Sequence, residues 1–186
     1  MEAHLAGRVH LSIEEPEALG TAGALGKLRD WIDGRPVLVI NADAWHEADL
    51  VAFAAGWDGE RVRLLTVLDP SRGTWGDHHY AGAALIPWSH VARLRPEPSG
   101  LYETSWRGDD DLDLVTHDGP FFDCGTPADY LAANLASSGG RSVVGRAAVV
   151  EGTLHECVVW PGAAVRPHER LRQAIRAHRH MTVLVR

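Results

Sequence analysis

Two aspartates follow short apolar runs. Asp43 comes after Val37-Leu38-Val39-Ile40-Asn41-Ala42, and Asp123 comes after Phe121-Phe122 and before Cys124-Gly125. In parallel α/β sheets ligands bind at the carboxyl ends of strands, so a carboxylate placed there meets whatever occupies the crevice. Two such carboxylates on adjacent strand ends suit one Mg2+, which is usually held by one or two carboxylates plus substrate phosphates. Either aspartate alone reads equally well as a cap for the next turn or helix. The turn Gly20-Thr21-Ala22-Gly23 opens a helical stretch, where backbone amides could receive an anion or the polar edge of a ligand. A tight turn with no ligand would use the same residues.

The other reactive side chains say less. His78-His79 is the one histidine pair next to a strand among 11 histidines, and adjacent strand residues point to opposite faces, which disfavours a shared metal. His46 could line a crevice near Asp43, or cap a helix at the surface. Cys124 reads as a small buried hydrophobe before it reads as a nucleophile. Trp45 and Trp75 are the tryptophans placed to stack on a base or sugar ring. The single lysine, Lys27, lies in the helical stretch after the Gly20 turn, and much phosphoryl chemistry uses a lysine as a point charge on the phosphates.

These residues need a scaffold. Val9 to Ile13 reads as a short strand, and Ala24 to Asp33 as a helix with Leu25, Leu28, Trp31 and Ile32 on one face, stopped by Gly34 and Pro36. Val37 to Ile40 has no polar alternation, which predicts a central parallel strand covered on both faces. A short crossover helix follows from Glu47 to Ala55, then strands at Val62 to Leu68 and Tyr80 to Ile86. Strand–helix–strand repeats of this kind predict a parallel sheet. Leu101 to Trp106 could be a helix, and the run Asp109, Asp110, Asp111, Asp113 reads as a solvated loop. Thr126-Pro127-Ala128-Asp129 is a helix start, with N-cap, proline in the first turn and reciprocal acid. After Ser137-Ser138-Gly139-Gly140, a linker, apolar residues recur every six: Val143 to Val149, Val144 to Val150, Val159 to Val165 to Leu171. This predicts coils of hexapeptide β-helix, with a pair of hairpins as the other arrangement. Arg170 to Arg179 reads as a terminal helix and Met181 to Val185 as a last strand.

Composition narrows the function classes. With 186 residues, 45% of them hydrophobic, the chain can bury a core. A net charge of -7 argues against a nucleic-acid surface. Two distant cysteines give no disulfide framework. No stretch is apolar enough to span or anchor to a membrane, and the cytoplasm is the expected compartment.

Taken in order, Leu19-Gly20-Thr21-Ala22-Gly23-Ala24-Leu25, Val37 to Asp43, Tyr80-Ala81-Gly82, and Phe122-Asp123-Cys124-Gly125-Thr126-Pro127 with Tyr130-Leu131 resemble motifs of the sugar-phosphate nucleotidyltransferases. The resemblance covers roughly Val9 to Leu135. It implies an incomplete Rossmann-like nucleotide-diphospho-sugar transferase three-layer α/β fold over 1–137, followed by a short left-handed hexapeptide β-helix over 141–186. It implies transfer of an NMP unit from an NTP to a sugar 1-phosphate, with release of pyrophosphate and formation of an NDP-sugar. Gly20, Thr21, Ala22 and Gly23 would contact base and sugar, with Asn41 beside them. Gly82 would lie against the sugar. Asp43 and Asp123 would hold Mg2+. A β-helix tail leaves a homo-oligomer open.

Members of that family begin with a strand and a glycine-rich loop bearing an arginine, then a lysine, which cradle the triphosphate. This sequence shows none of these, and by the resemblance it enters the fold at the third strand. At about 30 residues per βαβ unit, roughly two units would precede it. The expectations are little turnover by the chain itself and an exposed apolar sheet edge. Ala42 stands where the family usually has glycine, and no Glu-Lys-Pro segment lies between Val67 and Tyr80. A catalytically inactive sugar- or nucleotide-binding or regulatory subunit is the alternative, and a metal hydrolase built on the histidines and aspartates has the weakest support.

Overall fold

A computed structural model describes residues 5, 7–179 and 181–185. The chain forms two compact units, one of Met1–Ile40 with Asp49–Thr116, the other of Asn41–Ala48 with His117–Arg186. The expected break near residues 137–141 falls inside the second unit.

In the first unit the opening helix α1, Gly20–Ile32, ends on Asp33, whose left-handed backbone (φ 47°) lets its amide reach back to the Arg29 carbonyl at 3.0 Å. Its buried face is built from small residues, Ala22, Gly23 and Gly26, together with Leu25 and Ile32. Trp31, expected on that face, is 51% exposed and instead stacks on His10, with the Arg35 guanidinium over its ring.

The sheet of this unit runs β1–β4–β3–β5, from β1 (Val37–Ile40), β3 (Arg63–Leu68), β4 (His78–Ile86) and β5 (Asp113–Thr116). Only β3 and β5 are parallel; β4 is antiparallel to both β1 and β3. The expected parallel sheet with β1 at its centre is therefore corrected. The turn-rich segment after Leu68 closes a hairpin into β4, with the Asp69 amide on the Asp77 carbonyl at 2.8 Å, and a hairpin forces antiparallel pairing. Among the described residues β1 pairs on one side only, and Leu38 and Ile40 on its outer face are 43% and 51% exposed. An apolar run reported low polarity there, not burial on both faces. Residues 9–13 pair with no described strand, so the strand expected there is not formed.

Between β1 and β3 lies α2, Leu50–Ala54, capped by Asp49, whose carboxylate accepts from the Val51 and Ala52 amides. A short helix α3, Trp88–Val91, follows β4, and the segment Tyr102–Trp106 forms a π-helical turn closed by the Arg107 amide on the Tyr102 carbonyl. The core is Ala22, Leu25, Ile32, Val62, Leu64, Ala84, Ile86, Val91, Leu94, Leu101 and Trp106.

The second unit holds the ladder of β2 (Ala44–His46) with β6 (Phe121–Asp123), helix α4 (Pro127–Ser137), and the short strands β7 (Val143–Val144), β8 (Val149–Val150), β9 (Thr153–His155), β10 (Val158–Val159), β11 (Ala164–Val165), β12 (Arg170–Arg172), β13 (Ala174–Arg176) and β14 (Thr182–Leu184). In the tail, Val143 lies beside Val158 and Val158 beside Ile175; Ala164 lies beside Val149, and Leu171 beside Leu154, all in parallel. The backbone thus returns to the same face at each pass, with Val159, Ala163 and Val165 packed inside. Leu131 of α4 packs on Val158 and Ile175. The helix expected over Arg170–Arg179 is instead β12 (Arg170–Arg172) and β13 (Ala174–Arg176). Their residues continue the tail's inward-facing repeat, and Ala174, Ile175 and Arg176 are all buried. Burial outweighs the helical pattern there. The last strand, β14, covers Thr182–Leu184 as expected.

Candidate functional site

The helix start read at Thr126 is formed in full. The Asp129 amide donates to the Thr126 hydroxyl oxygen at 3.2 Å, and that hydroxyl donates to the Asp129 carboxylate at 2.6 Å. This box directs α4 back over β6. Tyr130, Asn134 and Ser137, four and three residues apart, share one face of the helix. With Asp43, Trp45 and Cys124 they line a cavity of about 430 Å3 in the second unit. Asn134 is held by its amide to the Tyr130 carbonyl at 2.8 Å. Sequence reasoning quoted Tyr130 but missed Asn134 and Ser137; their spacing after a capped helix start was the available signal.

The β2–β6 ladder fixes the two aspartates. Ala44 pairs with Asp123, and the Cys124 amide donates to the Asp43 carbonyl at 2.7 Å. The two residues are brought to one end of an antiparallel ladder, not to neighbouring ends of a parallel sheet. Trp45 packs against Phe122, ring centres 5.7 Å apart, and holds the ladder closed. Asn41 supplies the carbonyl that receives the Ala44 amide.

Charge collects here without compensation. Among the described residues neither Asp43 nor Asp123 has an ion-pair partner; Asp123 accepts only the Gly125 amide, at 3.3 Å. The Cys124 thiol records the result. Burial first, then the charges of Asp123, Asp129 and Asp43, push it above its ordinary value. A thiol held protonated is a poor nucleophile, which agrees with a packing role. Two carboxylate oxygen donors with no cation beside them have the chemistry of a hard-cation site completed by phosphates. No described group of three or more His, Cys, Asp or Glu residues could hold a metal unaided. His46 and His117 lie with ring centres 6.2 Å apart in the same unit, and burial, then the His117 charge, lower the His46 value below 6.5.

A scan of protein-family models and a search of curated proteins each give no match. Solved structures do match. Mannose-1-phosphate geranyltransferase from Thermus thermophilus aligns with a TM-score of 0.65 at 14% identity, over 99% of this chain and 76% of that one. HddC from Yersinia pseudotuberculosis, in complex with GMP-PN, gives 0.53 at 20% identity over 65% and 64%. UDP-glucose pyrophosphorylase from Acinetobacter baumannii gives 0.51 at 14% identity over 72% and 63%. This chain has the fold of sugar-phosphate nucleotidyltransferases. It spans three quarters of the first of these proteins and less than two thirds of the other two.

On that nucleotidyltransferase fold the glycines sit in the first unit and act on the chain's own backbone. The Ala22 and Gly23 amides donate to the Ser99 carbonyl at 3.0 and 3.4 Å, and the Thr21 hydroxyl accepts the Leu101 amide at 3.1 Å. A Cβ at Gly20, Gly23 or Gly26 would fall 2.6, 2.3 and 2.4 Å from backbone atoms of Ser99, Glu97 and Arg95. The turn expected to meet a ligand is a groove that seats the segment 95–99. Gly82, with φ 85°, lies where the β3–β4 register slips, so its positive φ serves a bulge in a buried strand. Lys27 donates its ammonium to the Ile13 carbonyl. Among the described residues no helix is long and apolar enough to cross a membrane.

Proposed function

We propose that this protein is a nucleotidyltransferase that joins a sugar 1-phosphate to the NMP unit of an NTP, forming an NDP-sugar and releasing pyrophosphate. The observation that carries this is the pair Asp43 and Asp123, uncompensated and held at one end of the β2–β6 ladder, on a fold shared with enzymes named for sugar phosphates and nucleotides. A phosphate oxygen of the sugar 1-phosphate attacks the α-phosphate of the NTP, and the bond to the pyrophosphate oxygen breaks. Such a transfer needs positioning and neutralised charge more than covalent help. Asp43 and Asp123 would hold Mg2+, which when bound neutralises phosphate oxygens. Trp45 and Tyr130 offer ring faces in the cavity beside Asp43, and Asn134 an amide. We read the tail's parallel returns as the coils of a left-handed hexapeptide β-helix.

A second reading is favoured by one observation: the α1 amides and Lys27, which could have met a phosphate, are engaged inside the chain. On this reading the protein binds sugar or nucleotide as an inactive or regulatory subunit. Pyrophosphate release measured with Mg2+ across a panel of NTPs and sugar 1-phosphates separates the two. The expected result is release that requires Mg2+ and falls by about 100-fold or more in kcat/KM for Asp43→Asn and Asp123→Asn. Turnover undiminished by both substitutions overturns the assignment of the site. Ligand binding with no turnover on any pair selects the second reading.

A further inference from the structure

We propose a second ligand site, in the first unit and independent of the aspartates, that takes the phosphate group of a small metabolite. A concavity of about 520 Å3 lies between the segment that follows α3 and the π-helical turn. Three arginines line it: Arg93 and Arg95 from one wall, Arg107 from the other. None of the three guanidinium groups has an acceptor within hydrogen-bond or ion-pair distance among the described residues, although Glu97 and Asp109 line the same concavity. Several other arginines of the unit have partners. Arg61 is paired with Asp58, Arg63 with Asp113 at 2.7 Å, and Arg35 donates to carbonyls of α1.

Unpaired guanidinium groups are ordinary when they point separately into water. Here all three, though exposed, line one concavity, and the backbone that carries one of them is fixed. The Arg95 backbone lies against Gly26, Glu97 against Gly23 and Ser99 against Gly20, each too close for any side chain on the helix. The segment is pinned at Ser99 from both sides, by its amide on the Leu19 carbonyl and by its carbonyl on the Ala22 amide. Leu94, buried in the core, anchors the chain between Arg93 and Arg95. A preorganised wall of this kind loses little entropy when an anion is bound.

The chemistry selects phosphate. Planar guanidinium forks match the terminal oxygens of a phosphate, and its second charge answers a lining in which three cations exceed two carboxylates. A carboxylate would answer one fork and leave the others unmatched. A concavity rather than a basic stripe, on a chain of net charge -7, does not suit a nucleic-acid backbone. Sugar phosphates and nucleotides share the phosphate group, and the test distinguishes them.

Isothermal titration calorimetry would use the intact chain in EDTA-containing buffer, with inorganic phosphate, glucose 1-phosphate and ADP as separate probes. The expected result is saturable binding of at least one probe with Kd below about 1 mM, weakening as salt rises from about 50 to 200 mM. The double variant Arg95→Gln, Arg107→Gln loses about tenfold or more in affinity, with the unfolding temperature unchanged. The equal charge change Arg170→Gln, Arg172→Gln in the tail leaves affinity as it was. Tighter binding of glucose 1-phosphate than of phosphate or ADP assigns the site to sugar phosphates, and the reverse order to nucleotides. No saturable binding of any probe, binding unchanged in the arginine variant, or loss in the tail control, overturns the proposal.

Discussion

At the scale of residues, the second unit gathers titratable groups whose environments set their protonation. His46 is lowered by burial and by the charge of His117, so the unfolded chain takes up its proton at higher pH than the folded one. The sign follows: folding is favoured above the unfolded value near 6.5 and loses that contribution as pH falls toward the folded value. In a histidine NMR titration His46 should show a midpoint below 6.5, and His117→Asn should move it upward by removing the smaller of the two causes. A midpoint at or above the ordinary value, or one that His117→Asn leaves in place, counts against the placement of this pair. Cys124 answers to the same neighbourhood from the other direction. Its reaction with iodoacetamide near neutral pH should quicken in Asp43→Asn and Asp123→Asn, because each removes a charge that opposes the thiolate.

At the scale of elements, the glycine series of α1 matters more than any single cap. Gly20, Gly23 and Gly26 repeat every three residues, and together they form a groove for the 95–99 backbone. Alanine at Gly23 would gain about 1 kcal/mol of helix propensity. It would also place a Cβ 2.3 Å from the Glu97 carbonyl oxygen, an atom that cannot rotate away. Overpacking of this kind costs about 1–3 kcal/mol, so Gly23→Ala should lower stability in urea unfolding, while a stability equal to or above the parent chain would show the groove to be loose. The sequence displayed that repeat but not what lay against it. Where a signal was local, it was legible: the Thr126 box, the stop after Ile32 and the last strand formed where the residues called for them. What was not legible was partner and direction. The apolar run of β1 could not say that its one described neighbour would be antiparallel β4, nor could the arginine-rich stretch 170–179 say that it would be drawn into the tail's parallel strands. The apolar run before Asp123 marked a strand that ends on it, whereas Asp43 lies in the turn between β1 and β2, and the run before it did not foretell the antiparallel ladder that brings the two residues together. The arginines at 93, 95 and 107 were not legible, since nothing in their spacing foretold a wall held by glycines.

At the scale of the molecule, acid should loosen both units through carboxylates that folding makes stronger acids. In the first unit the Glu60 amide, then the Arg61 guanidinium, hold Asp58 down to about 2, and the Ser71 hydroxyl lowers Asp69. In the second, the Arg166 amide and then Arg176 lower Glu169. Folded values below the unfolded ones mean that these contributions are whole above the unfolded values, and are lost as pH falls through the folded ones. Glu169 has a further consequence, because its partner Arg176 is only 3% exposed and, among the described residues, pairs with no other carboxylate. A buried guanidinium deprived of its anion is costly, whereas removal of both partners is not. Glu169→Gln should therefore lower the unfolding temperature at pH 7 more than the double variant Glu169→Gln, Arg176→Met does. The gap between the parent chain and Glu169→Gln should also narrow as pH falls from about 4.5 toward 2, where protonation does to the parent what the substitution does at every pH. Asp58→Asn should behave in the same way but more weakly, since its carboxylate and Arg61 face solvent and salt screens them. A gap for Glu169→Gln that stays constant across this range would mean that the pair carries no linkage, and a double variant less stable than the single one would mean that Arg176 is held by its packing.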